Sequence, residues 1–293
     1  MPRTLTPEIM DRPDVDRAQL GGALRFIQAV NRWAGGVRAL LGRLDAWSGA
    51  WPASAKGAPA RRPITLLDVA TGAADLPIAA RRWALARGYD LRVLGVDIHP
   101  TTLELAQQRL APEPESVRAG VRLLSCDALA ISQTFGPASF DYAHAGLFLH
   151  HLADIDAMNT LRQMDRVARH GVVWNDLLRS PLAMAGAWAT TLGAPHIVRH
   201  DARASVRAGF TRAEAVHMAQ RAGLHQPRFG WTPLGYRFWL YSTKPGPVNP
   251  VTPTPPTTAL GDPFALVPLP ASDQDRPAAN AASAPDVPGN AHK

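Results

Sequence analysis

The residues with the most chemistry in this chain stand at the ends of short apolar runs. The first group, Asp68-Val-Ala70-Thr71-Gly72-Ala-Ala74, follows Ile64-Thr-Leu-Leu and leads into a helical pattern. Side chains this small let a ligand approach the backbone, and the free N–H groups of the next helix favour an anion. Asp97 closes a second run, Val93-Leu-Gly-Val, about 25 residues on, near the spacing of roughly 20 for an acid that accepts from ribose hydroxyls. Asp127 closes a third, Leu123-Leu-Ser-Cys, where it could accept from an adenine amino group while the N–H of Ala128 faces a ring nitrogen. The fourth group is Phe140-Asp-Tyr-Ala-His144-Ala145-Gly-Leu-Phe148-Leu-His150-His151. A neutral imidazole can take a proton from a phenol or enol near neutral pH, which makes His144, His150 and His151 candidate general bases. Leu147, Phe148 and Leu149 suit a hydrophobic or aromatic substrate, and Asp176 and Arg179 follow a fifth apolar run, where substrate-facing loops gather.

Each residue has a plainer reading. Asp68 could be a solvated strand-end acid, Asp97 a cap for the helix near Thr101, and Asp127 a turn acid. The histidines could be structural, and Asp176 and Arg179 a surface ion pair. His196, Arg199, His200 and Asp201 form a polar cluster that could line a lid or lie on an exposed loop. His150 and His151 are adjacent on a helix start, so their side chains are expected to point apart. No third ligand is placed beside them, and no metal site is expected.

The elements that must carry these residues follow from periodicity. Strands are predicted at Ile64–Val69, Leu91–Val96, Val121–Ser125, Phe140–Ala143 and Gly171–Asn175. Helices are predicted at Asp75–Arg87, Thr101–Leu110 with a Thr cap, Ala153–Arg169 and Thr211–Ala222. Apolar strands alternating with helices predict an α/β fold: a Rossmann-like doubly wound sheet, mostly parallel and covered on both faces. Extended runs near Gln226–Gly230 and Tyr236–Ser242 predict an antiparallel hairpin at its C-terminal edge. Ahead of the sheet, Leu20, Leu24, Ile27, Val30 and Trp33, then Val37, Leu40, Leu41 and Leu44, predict two helices broken at Gly35-Gly36, with Trp33, Trp47 and Trp51 as packing residues. The expected organisation is an N-terminal helical cap and linker over 1–60, the α/β domain over 61–244, and a disordered Pro/Ala-rich tail over 245–293.

Composition bounds the rest. The net charge of +7 is spread as Arg residues mixed with Asp and Glu, without a compact basic run interleaved with aromatics, which argues against a nucleic-acid partner. The single cysteine, Cys126, permits neither an intrachain disulfide nor a thiolate metal site and fits a cytoplasmic protein. The first residues are polar and acidic, so no signal peptide is expected, and no apolar run reaches the roughly 20 residues of a spanning helix.

The four groups, in this order, resemble the class I S-adenosylmethionine-dependent methyltransferase family over about residues 64–242. The resemblance implies S-adenosylmethionine as cofactor: Asp68 and the loop Ala70, Thr71, Gly72 and Ala74 would meet its methionine part. Asp97 with Ile98 would hold ribose, Asp127 with Ala128 adenine, and Ala145 would border the cofactor. Phe148-Leu-His-His151 and Asn175-Asp-Leu-Leu-Arg-Ser180 are similar to bacterial methyltransferases acting on quinone precursors or aromatic polyketides, which implies a small-molecule acceptor methylated at oxygen or carbon. This chain departs from the family's D-x-G-x-G-x-G loop by keeping only the middle glycine. A positive φ at Ala70 would cost about 1 kcal/mol, so a negative φ is expected there. The alternatives are an RNA methyltransferase and a non-catalytic cofactor-binding or scaffold protein. Against the first, the loop after strand four lacks the Asn/Asp-Pro-Pro-aromatic run, and no Pro-Cys nucleophile is present. A nicotinamide dehydrogenase is a third reading, but G-x-G-x-x-G is not intact.

Overall fold

A computed structural model of the chain describes residues 2–12, 14–51, 63–232, 236–246 and 264. Its elements are α1 (Arg17–Trp33), α2 (Gly36–Ser48), β1 (Ile64–Val69), α3 (Asp75–Ala86), β2 (Leu91–Asp97), α4 (Pro100–Leu110), α5 (Glu115–Arg118), β3 (Val121–Ser125), α6 (Ile131–Phe135), β4 (Phe140–Gly146), α7 (Asp154–Val167), β5 (Ala168–Leu177), α8 (Pro181–Thr190), α9 (His196–Ala208), α10 (Arg212–Arg221), β6 (Arg228–Trp231) and β7 (Arg237–Thr243). Short 3₁₀ turns lie at Ile9–Asp11 and Leu149–His151.

The strands form one sheet in the order β3-β2-β1-β4-β5-β7-β6. β1 to β5 run parallel, and β7 lies antiparallel to both β5 and β6. The expected Rossmann-like sheet with a closing hairpin is therefore what the chain forms. The order reverses between β1 and β4, and a crevice opens outside the carboxyl ends of strands at such a switch point. Every residue of β1 is buried, as a central parallel strand covered on both faces requires.

The two faces are packed differently. One carries Phe135, Phe140, Leu161, Met164 and the mutually perpendicular rings of Trp174, Phe210 and Phe238. The other carries α2 and α3, where Trp47 stacks on Tyr142 at 4.3 Å and Trp51 donates from Nε1 to the Tyr142 hydroxyl at 2.9 Å. Aromatic contacts of this kind contribute about 0.5–1.5 kcal/mol beyond area burial. Trp47 and Trp51 thus pack as expected, whereas Trp33 ends α1 with 84% of its surface exposed.

α1 and α2 break at Gly35, whose φ of +88° ends the first helix. α4 starts one residue before the expected Thr: Pro100 occupies its first turn, and no side chain caps it. α10 has the full capping box, with Thr211 and Glu214 each bonded to the other's backbone. The end of the expected N-terminal region, residues 52–60, falls outside the described residues, as does almost all of the expected disordered tail. Phe264 is described within that tail and meets Phe140 edge-on at 6.4 Å.

Candidate active site

The loop between β1 and α3 closes over the switch point. Ala70, Gly72 and Ala74 all have positive φ, at +54°, +56° and +57°. The negative φ expected at Ala70 is therefore wrong. The loop needs three left-handed residues to reverse from β1 into α3, and two of them are alanine, each held at a cost of about 1 kcal/mol. Strain of this kind persists where the surroundings over-determine the backbone, commonly at ligand sites. Leu147, just past β4 on the neighbouring strand, is also left-handed at +52°.

The loop is anchored by acids from both adjacent strands. Asp68, buried at the end of β1, accepts from Thr71 Oγ1 at 2.7 Å. Asp97 Oδ2 accepts from the N–H of Gly72 at 3.0 Å, and its Oδ1 from the N–H of His99 at 3.0 Å. Burial raises the pKa of Asp97 against those two backbone bonds. Gly95 permits this closeness, since a Cβ there would stand 2.6 Å from Thr71 Oγ1. Ile98 beside it is 65% exposed, an apolar side chain left open next to a buried acid. Asp127 is exposed and accepts from the N–H of Leu129 at 2.8 Å, at the carboxyl end of the strand next to Asp97's; Ala128 is half-buried.

α1 roofs the loop. Leu20 and Leu24 pack on Ala73, and Asn31 donates from Nδ2 to Asp75 Oδ2 at 2.9 Å. Burial raises the pKa of Asp75, opposed by the Asn31 bond.

The three candidate histidines divide. On β4, His144 lies beside Asp68 in register, and its Nδ1 is 2.6 Å from Asp68 Oδ1. Its ring is wholly buried, and its Nε2 has no hydrogen-bond partner. Gly146 leaves room for that nitrogen, since a Cβ there would stand 2.9 Å from His144 Cε1.

His150 is engaged at both nitrogens: Nδ1 lies 2.6 Å from Asp176 Oδ1 and Nε2 lies 3.5 Å from Glu8 Oε1. Burial opposes its charge, but Asp176 and Glu8 prevail and hold its pKa up at about 10. A ring already protonated at neutral pH accepts no further proton, so His150 does not fit the role of base. His151 points the same way as His150, not apart from it. Their ring centroids are 4.2 Å apart, because the two sit on a tight turn and each is tethered by its own carboxylate.

The remaining expected contacts are placed as follows. Ala145 buries its methyl in the core, so only its backbone can border the cleft. Phe148 is half-buried and stacks with His151 at 6.5 Å. Asp176 is fully engaged, accepting also from Trp174 Nε1, the N–H of His150 and the N–H of Leu177. That leaves it a positioning residue rather than a substrate contact. Arg179 is committed to Gly209 O and Glu214 on the α10 side and leaves no free guanidinium for a substrate. His196, Arg199 and His200 lie on α9 and line a cavity of about 320 Å³ with Thr6 and Trp188, while Asp201 anchors the N–H groups of Ile9 and Met10.

Two features gave no local signal in the sequence. Glu8 and Asp11 approach the paired histidines from more than a hundred residues away. Arg237, at the start of β7, is fully buried with Nη1 3.3 Å from Asn175 Oδ1, and its Nε and Nη2 have no partner. Burial lowers its pKa to about 10.

Residues 66–171 match the family model described as Methyltransferase domain. Among solved structures, a SAM-dependent methyltransferase from Aquifex aeolicus aligns at 14% identity with a TM-score of 0.50, over 78% of this chain and 99% of that one. Magnesium protoporphyrin IX methyltransferase from Synechocystis with bound SAH aligns at 15% identity and a TM-score of 0.49, over 81% and 91% of the two chains. A candidate O-methyltransferase from Nostoc punctiforme aligns at 17% identity and a TM-score of 0.47, over 62% of this chain. This chain spans about half, 52%, of that relative's length. No curated protein matches the chain. At these identities the likeness is one of fold.

Proposed function

We propose that the chain is a class I S-adenosylmethionine-dependent methyltransferase that transfers a methyl group to an oxygen or carbon atom of a hydrophobic or aromatic small molecule, a reading supported by the match of residues 66–171 to the methyltransferase domain model. The observation that carries this reading is the strained loop Ala70–Ala74 at the switch point, with Asp97 bonded to Gly72 at its mouth and the unpartnered Nε2 of His144 buried beside it.

The residues present fit that cofactor. The loop is small enough for close backbone approach, and Asp97 offers a desolvated carboxylate to a ribose diol. Ile98 offers an apolar surface to the base, with Asp127 and Ala128 at the neighbouring strand end. When bound, S-adenosylmethionine supplies an electrophilic methyl group on a sulfonium, whose charge is lost as the new bond forms.

The chain's own contribution is orientation, exclusion of water and handling of one proton. An oxygen or carbon acceptor gives up a proton, and in this reading His144 Nε2 takes it. Asp68, at Nδ1, fixes the tautomer with Nε2 free and stabilises the imidazolium that results. A buried cation with two unpartnered donor nitrogens suits an acidic oxygen, so Arg237 points to an acceptor bearing a phenolate, enolate or carboxylate.

Two measurements test this. Calorimetric titration with S-adenosylhomocysteine is expected to show one site per chain, and its absence would overturn the cofactor reading. Transfer of label from S-adenosylmethionine to a panel of phenols and 1,3-dicarbonyls is expected for at least one class. It should fall about 10²–10⁴-fold in His144→Gln with S-adenosylhomocysteine binding unchanged.

A further inference from the structure

The proton-transfer reading leaves His150 and His151 unused, and they converge on a third ligating group. His150 Nε2 is 3.5 Å from Glu8 Oε1, and His151 Nε2 is 4.0 Å from Glu8 Oε2. One donor atom from each of the three residues lies within 4.8 Å of the other two. Glu8 and His150 are buried, and His151 is half-buried.

The opposite nitrogen of each ring is held by its own carboxylate. His150 Nδ1 meets Asp176 Oδ1 at 2.6 Å, and His151 Nδ1 meets Asp11 Oδ2 at 2.7 Å. A carboxylate on one nitrogen with the other nitrogen directed at a common point is how proteins orient metal-ligating imidazoles. Glu8 is itself supported, since Ser205 Oγ donates to its Oε1 and Asp201 fixes the N–H groups of the next two residues.

We propose that Glu8, His150 and His151 bind a divalent transition-metal ion, with Asp176 and Asp11 as the positioning residues behind the two imidazoles. Ligands bonded at about 2.0–2.2 Å to one ion stand about 3–3.5 Å apart, so the observed separations close with side-chain shifts of less than about 1 Å. Two nitrogens and one carboxylate select zinc, iron(II) or manganese over magnesium and calcium, which prefer all-oxygen shells. Binding needs both rings neutral, so the ion displaces the proton that His150 otherwise carries; the buried Glu8 and Asp176 and the exposed Asp11 then leave three carboxylates around the ion, and a divalent charge offsets most of theirs. Three protein ligands leave open positions on the ion, as in sites that bind water or a substrate oxygen rather than purely structural ones. The turn bearing both histidines follows β4, so the ion would stand at the same edge of the sheet as the loop Ala70–Ala74.

The test uses the full chain, stripped with chelator and dialysed, and titrated with zinc alone. One ion per chain is expected, with a rise in melting temperature that grows with zinc concentration. Cobalt(II) in place of zinc should give visible bands of a nitrogen/oxygen site. Glu8→Gln and His151→Asn should abolish the stoichiometric site, and Asp11→Asn should weaken it about 10–100-fold. His217→Gln, on the exposed face of α10, should leave it intact. Absence of stoichiometric zinc binding by the wild type would overturn the proposal, as would a site unchanged in both Glu8→Gln and His151→Asn. S-adenosylhomocysteine titration of the stripped protein keeps the two readings apart, because cofactor binding is expected to survive there.

Discussion

Among the described residues two buried carboxylate–imidazole pairs have the same length, and they end differently. Asp68 and His144 join β1 to β4 at 2.6 Å, and the far nitrogen of His144 meets nothing. Asp176 and His150 join β5 to the turn after β4 at 2.6 Å, and the far nitrogen of His150 meets Glu8. Buried polar groups are rarely left unpaired, because the lost hydration is not recovered. In the proposed reading, the free nitrogen of the first pair is the one that takes the acceptor's proton. At the second, the chain brings Glu8 and Asp11 across from the N-terminus to the histidine turn, assembling the groups proposed above to hold a metal ion. Ala70 and Ala74, in the loop tied to Asp68 through Thr71, adopt left-handed backbone, as do Leu147, midway between the two histidines, and Ala138 and Gln226 elsewhere.

The comparison breaks most visibly at the closed pair. Asp176→Ala leaves His150, Trp174 Nε1 and two backbone N–H groups without their shared acceptor. Removing one partner of a buried pair costs about 3–5 kcal/mol. Urea unfolding should show that loss as a lower midpoint at unchanged slope. A loss below about 1 kcal/mol would mean that the pair is not closed in solution.

At the open pair, deleting the imidazole should cost less. His144→Ala takes one partner from Asp68 but leaves the Thr71 hydroxyl. A loss of about 1–3 kcal/mol is expected. An equal loss at both pairs would remove the distinction between them.

Asp97 sharpens the open side through pH. Burial raises its folded pKa above the ordinary 3.8, so the folded state favours its protonated form. That contribution to stability is full below the unfolded pKa and is lost as pH rises through the folded one. Ribose recognition by Asp97 has the opposite sign, because it needs the carboxylate. S-adenosylhomocysteine affinity should therefore weaken by about 1.5 kcal/mol on acidification, starting above the pH at which an ordinary aspartate titrates. The stability contribution of Asp97 moves the other way over that interval. An affinity flat with pH through the whole range in which carboxylates titrate would show that Asp97 does not accept from the ligand.

How much of this was legible depends on range. β1, β2 and β3 could be read within a residue because buried parallel strands are continuous apolar runs, and Thr211 with Glu214 announced α10 through a local capping box. Asp97 and Gly72 were legible as loop chemistry, and the structure brings them within one hydrogen bond. The pairing of Asp68 with His144 was not, since it depends on strand register across 76 residues. Nor was the meeting of Glu8 with His150 and His151, where nothing in a polar N-terminal stretch signals a buried carboxylate. Arg237 was hidden differently: an arginine opening a strand reads as solvated, and only the roof of α1 and α2 makes it a buried cation.

The smallest expected effect bears on why the open side is strained. If the loop is left-handed because it must cradle a ligand, its geometry should survive relief of the strain. Ala70→Gly removes a left-handed penalty of about 1 kcal/mol but returns about 0.5 kcal/mol to the unfolded chain as entropy. A net stabilisation of about 0.5 kcal/mol is therefore expected, with cofactor affinity retained. Gly72→Ala runs the other way: its φ is +56°, and the nearest atom to an added Cβ is Leu24 Cδ2 at 3.9 Å, so the cost is one of backbone rather than of crowding. If Ala70→Gly destabilises the fold, φ at 70 is negative in solution and the strain belongs to Gly72 and Ala74 alone. The open pair would then be distinguished by its unpaired nitrogen and not by its loop.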